Sequence, residues 1–159
     1  MFLGYINKRG SEEMYSALDI AKWFLNINRA QMNFEDSEYI TNLKLQKLLY
    51  YAQGYYLARK NDPLFKEDFI AWEHGPVIRK IYDRYKSNGS SGIKYDEDFK
   101  VNIDGETIRI LEEVYNEFGQ YSAWKLRNMT HETSPWQTTP RNSVIPKQKI
   151  KDYFKTQIA

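Results

Sequence analysis

The sequence predicts a mainly α fold, a single compact domain of about five to six helices with at most one or two short strands. Three observations point there. Apolar residues recur mostly at helical spacing, the length of 159 residues is that of one ordinary domain able to bury a real core, and no internal repeat, low-complexity tract or long linker divides the chain. An aromatic share of 16% is too rich for a chain that stays disordered, so the domain is expected to fold alone.

Ser16, with Asp19 three residues on, caps a first helix whose Ala17, Ile20, Ala21, Phe24 and Leu25 form one apolar stripe. The polar run from Gln31 to Glu38 breaks the pattern. Thr41 then opens a second helix, in which Leu45, Leu48, Leu49, Ala52, Tyr55 and Tyr56 share a face. Asn61-Asp62-Pro63 ends it, because Pro cannot continue a helix and biases the residue before it away from helical geometry. A short extended piece follows at Phe69 to Trp72. His74-Gly75-Pro76 then turns into a third helix, with Pro76 near its first position and Ile78, Ile81, Tyr82 and Tyr85 on its buried side.

The stretch from Ser87 to Gly105 is rich in Gly, Ser and Asp and reads as a flexible excursion, with Lys100 to Asp104 as one short candidate strand. Asp104 caps a fourth helix whose Ile108, Leu111, Tyr115 and Phe118 face inward and which stops at Gly119. Ser122 starts a fifth, carrying Trp124, Leu126 and Met129 and ending near His131. Ser134-Pro135-Trp136 makes a rigid corner, and Pro146 begins a last short helix through Ile150, Tyr153 and Phe154.

Composition excludes several classes of function. The absence of Cys rules out disulfides and thiolate zinc sites and fits a reducing compartment. There is no apolar run near the length of a membrane span, and the opening MFLGYINKRG lacks a signal peptide's apolar region, so a cytoplasmic protein without membrane contact is expected. A formal net charge of +2 is too balanced to predict nucleic-acid binding by itself.

The chain's two histidines lie in similar turns, AWEHGPV (Ala71 to Val77) and MTHETSPW (Met129 to Trp136). Each combines a titratable ring with Glu, Trp and Pro, which suits either a site or a structural corner. The two turns are expected to meet in space, since each sits at a helix end beside a Trp.

Five blocks in order carry a family resemblance: YSALDIAKWFL (Tyr15 to Leu25), ITNLKLQKLLYYAQGYYLA (Ile40 to Ala58), PLF (Pro63 to Phe65), AWEHGPV, and SAWKLRNMTHETSPW (Ser122 to Trp136). With the IPKQKIKDYF ending they span Tyr15 to Phe154. The chain resembles the Panacea antitoxin domain, also called the SocA-like domain, found in phage-associated proteins of the GepA type. The resemblance implies residues 14–156 as the domain and 1–13 as an N-terminal extension. It also implies a bacterial or prophage protein that neutralises a cognate toxin by binding it, with a protease as a further partner where such a protein acts as an adaptor. Almost all of the chain is consumed by the domain, which leaves no recognition-helix module for DNA.

Other classes have weaker footing. Glu73, His74, His131 and Glu132 can in principle converge on a metal or act as an acid/base set, as in a small metal-dependent hydrolase. Their spacing matches no paired-His metal helix, and no elbow or Gly-rich oxyanion loop surrounds Thr130 or Ser134 as nucleophiles. No enzymatic activity, catalytic residue, cofactor or metal is therefore expected. A nucleic-acid-associated phage or regulatory protein rests on Lys147, Lys149 and Lys151 with Arg141, and on Lys44 and Lys47; alternating Lys on a terminal helix more often marks a solvated face.

A binding module needs aromatic anchors that can be desolvated, and Trp72, Trp136, Tyr50 and Tyr51 are the candidates. Asn42, Lys44 and Gln46 are polar positions that core packing does not require; they suit surface work or bonding to a neighbouring turn. With Glu73, His74, Gly75, Pro76, Thr130, His131 and Pro135 these complete the candidate partner-binding or structural positions.

Overall fold

The computed structural model describes residues 14–31, 38–94 and 102–158. Seven α-helices are present among them: α1 Ala17–Gln31, α2 Asn42–Lys60, α3 Arg79–Tyr85, α4 Gly105–Phe118, α5 Ala123–His131, α6 Ser134–Gln137 and α7 Lys147–Gln157. A small antiparallel sheet is formed by β1 Phe69–Trp72, β2 Gly75–Val77 and β3 Val144–Ile145, in the order β2-β1-β3. The mainly helical class is the one the periodicity predicts. The polar run after Gln31, the candidate strand at 100–101 and residues 1–13 lie outside the described residues, and 102–104 have no regular structure.

The caps follow the side chains. Ser16 and Asp19 exchange hydrogen bonds, Ser16 Oγ accepting from the Asp19 N–H at 3.0 Å and Asp19 Oδ2 from the Ser16 N–H at 3.2 Å, which closes a capping box. Thr41, Asp104 and Ser122 each accept the backbone N–H three residues on, at 3.1, 2.9 and 3.0 Å. Asn61 ends α2 in the left-handed conformation, with its N–H donating to the Leu57 carbonyl.

Helix α2 is the axis of the molecule: every residue from Leu45 to Leu57 is buried, against α4 and α5 as well as α7. That all-round burial explains why its sequence is apolar and aromatic on more than one side. Close approach of α7 depends on Gly54, where a Cβ would fall 2.2 Å from the Phe154 ring. Phe154 in turn contacts Tyr50, Tyr51 and Tyr55 edge-on, and Tyr51 stacks on Phe118 at 3.8 Å. Tyr50 and Tyr51 therefore belong to the core, contrary to the expectation of surface anchors.

Three other expectations are corrected. Pro76 does not open the third helix; it lies in β2 opposite Ala71, and α3 begins at Arg79 after an Ile78 cap. A strand at the sheet edge tolerates the missing amide as well as a first helical turn does. Tyr82, expected inside, is 36% exposed, and Trp124 is 54% exposed. The Ser134-Pro135-Trp136 corner is itself a turn of helix, with Pro at its start where no N–H is required. None of the described helices is long and apolar enough to cross a membrane.

Candidate functional site

The polar side chains of α2 at 42, 46 and 50 recur every four residues and so share a face, with Lys47 beside them. That face meets the β1–β2 hairpin and α5. Gln46 Oε1 accepts the Ile78 N–H at 2.9 Å, Gln46 Nε2 donates to Asn42 Oδ1 at 3.0 Å, and Asn42 Nδ2 donates to the Tyr82 carbonyl at 3.1 Å. Asn42 and Gln46 are thus 4% and 1% exposed, Gln46 bonding to the Ile78 cap of α3 and Asn42 to Tyr82 within it. Tyr50 forms a 2.8 Å hydroxyl contact with Thr133, Thr133 donates to the Thr130 carbonyl at 2.7 Å, and Thr130 donates to the Arg127 carbonyl at 2.8 Å. These groups cross-brace α2, α3 and the end of α5.

Lys47 is fully buried, with Nζ donating to the Pro76 carbonyl at 3.1 Å. Loss of solvation, reinforced by the nearby Arg127 charge, pulls its amine down to about 7. Gly75, at φ +107°, is held against it: a Cβ there would lie 2.8 Å from Thr130 Oγ1 and 2.9 Å from Lys47 Cε. Lys44 projects elsewhere, donating to the Gly119 carbonyl at the end of α4 at 2.6 Å. Its burial lowers the amine, opposed by Glu38.

The two His turns do meet. Arg127, on the helix that ends at His131, donates Nε–H to His74 Nδ1 at 3.0 Å, and the His74 ring lies 5.8 Å from that of Trp124. His131 stacks flat on Trp136 at 4.0 Å, while the Trp136 indole N–H donates to the Trp72 carbonyl at 2.8 Å. Burial and the charges of Arg127, Lys47 and Arg141 hold the His131 imidazole below its ordinary range, opposed by a hydrogen bond with the Glu73 backbone. His131 Nε2 is buried without a partner among the described residues. Pro135 is buried beneath this corner, and Glu73 is exposed at the turn.

Tryptophan–arginine pairs surround the turn. Arg79 lies over Trp72 at 5.6 Å, Arg127 over Trp124 at 4.3 Å and Arg141 over Trp136 at 3.6 Å. Trp124, Arg79 and Arg127 were not singled out in the sequence as site residues; the three-residue spacing of Trp124 and Arg127 on one helix was the available signal. Among the described residues no group of three or more His, Asp and Glu is placed to hold a metal, and the Thr130 hydroxyl is enclosed.

The profile of the antitoxin SocA-like, Panacea domain family matches residues 45–137. That span runs from the first buried turn of α2 through the hairpin and α5 to the end of α6. The chain belongs to this family. It is similar to the antitoxin SocA of Caulobacter vibrioides (strain NA1000 / CB15N), at 35% identity over 109 residues, 61% of this chain. The match spans 58% of that relative's own length. No solved structure matches. The Panacea span contains the hairpin tip, Gln46 and Trp72, Trp124 and Trp136; Asn42, Lys44 and Arg141 lie outside it.

Proposed function

We propose that this protein is an antitoxin that neutralises a cognate toxin by direct protein contact, with residues 14–156 as the unit that binds. The observation that carries this is the placement of the family match: residues 45–137 enclose a braced hairpin tip whose outer rim is tryptophan and arginine. Such residues concentrate binding energy at protein interfaces, while the braces beneath them reduce the ordering cost of association. A standard interface would bury on the order of 800 Å² on each partner.

Co-expression with the product of the adjacent gene tests the proposal. Growth should be lost with that product alone and restored by this chain. If no neighbouring or co-purifying protein is toxic when expressed alone, and none binds, the antitoxin assignment fails. The toxin's half-life in the same cells separates two modes: delivery to a protease shortens it, and sequestration leaves it unchanged or longer.

A further inference from the structure

Of the four tryptophans, Trp23 is a core residue, 8% exposed, and the other three surround the Glu73–His74 turn, each with an arginine over its ring. Their arginines are held in an unusual way. Arg127 hydrogen-bonds to His74 Nδ1 and Asn128 Oδ1, and Arg141 to the carbonyls of Trp136 and Thr139. None of these acceptors is a carboxylate, and among the described residues neither guanidinium forms an ion pair. Among the described residues Arg79 pairs only with Asp83, at 3.5 Å, which also contacts Lys86 at 3.5 Å. Three guanidiniums therefore lie over indole faces, and among the described residues only that of Arg79 has a carboxylate partner. The N–H groups that these contacts leave over can donate to a carboxylate. The positive field extends inward, where Arg127 and Arg141 both act against protonation of His131.

We propose that this tip docks an acidic segment of the partner protein, its carboxylates taken by Arg79, Arg127 and Arg141 and a neighbouring apolar side chain laid on Trp124. The proposal rests on the antitoxin reading for the identity of the partner and adds the chemistry it must present. A carboxylate-bearing peptide fits better than nucleic acid: the cations sit around one turn instead of along a track, Glu73 and Glu132 interrupt them, and the net charge is only +2.

The indole N–H signals of the full-length protein provide the test, with Trp23 as the internal control and Trp→Phe variants for assignment. Three probes are titrated: a peptide rich in Glu, Asp and Leu, a matched Lys-rich peptide, and a single-stranded oligothymidylate. The acidic peptide should move the Trp72, Trp124 and Trp136 signals, leave Trp23 in place, and lose affinity in high salt. Arg127→Glu with Arg141→Glu should weaken it by at least about tenfold, and Arg→Lys at both positions by less. An acidic peptide that moves none of the three signals, or that moves Trp23 equally, overturns the proposal, as does stronger binding of the Lys-rich peptide or the oligothymidylate. If the folded double Glu variant still rescues cells from the toxin, docking at the tip is wrong and the antitoxin assignment stands. If the unaltered chain fails to rescue, that assignment falls while the titration still decides the chemistry of the tip.

Discussion

Trp136 donates its indole N–H to the backbone carbonyl of Trp72 at 2.8 Å, so one hydrogen bond fastens the corner after α5 to the hairpin. Trp136→Phe retains a ring to stack on His131 but leaves that carbonyl without its donor. A loss of about 1 kcal/mol in denaturant unfolding is expected, the ordinary net worth of such a bond. An unchanged denaturation midpoint would show that solvent replaces the indole at no cost.

Gly75→Ala combines two faults, a left-handed backbone and a Cβ 2.8 Å from Thr130 Oγ1. A destabilisation on the order of 2 kcal/mol is expected, measured by thermal or denaturant unfolding. The same substitution at Gly89, also at positive φ but with nothing within 4 Å, should cost less. Equal losses at the two sites would remove the contact with Thr130 and Lys47 from the explanation.

Lys47 gives stability a pH dependence of definite sign. Its folded-state amine sits at about 7, against an ordinary 10.5, so between those values the unfolded chain binds more protons and stability rises with pH. Below about 7 both states are protonated and the penalty of the buried charge is constant. Lys47→Met should flatten the rise measured from pH 7 towards 9, below the ordinary tyrosine range. The same slope in both proteins would contradict the assignment.

His131 adds an acid limb. Its depressed pKa means that protonation in the unfolded chain, from 6.5 downward, drains the native state, so stability falls as the pH drops through that range. His131→Phe keeps a flat ring on Trp136 and should reduce the fall, as read from unfolding free energies at pH 7 and 5. A steeper fall in the variant would show that the imidazole stabilises the acidified fold.

Much of this was legible in the sequence because it is local. Caps at Ser16, Thr41, Asp104 and Ser122 and the break at Asn61 depend on residues within one turn, and the structure places each as expected. Pro76 was misread because an edge strand and a first helical turn make the same demand, the absence of an N–H. Nothing in the sequence marks Lys47 as buried, since Lys is almost never enclosed, and only the approach of the hairpin covers it. Val144–Ile145 is too short to carry an alternating pattern, so β3 is visible only from its partner β1. At the site, the two His turns announced themselves, but which tryptophans would be exposed depended on tertiary packing: Trp23 and Trp124 both lie in helical stretches, yet one is 8% and the other 54% exposed.

The most direct test of the central claim is calorimetric titration of the purified full-length chain with the purified toxin of its neighbouring gene. A specific complex should form, and Trp124→Ala should weaken it by at least about tenfold while circular dichroism stays unchanged, since Trp124 is a 54% exposed aromatic side chain of the proposed docking tip. Leu48→Asp, which places a charge at a fully buried position, should abolish both folding and binding. Rescue of growth with no detectable complex between the purified proteins would contradict neutralisation by direct contact.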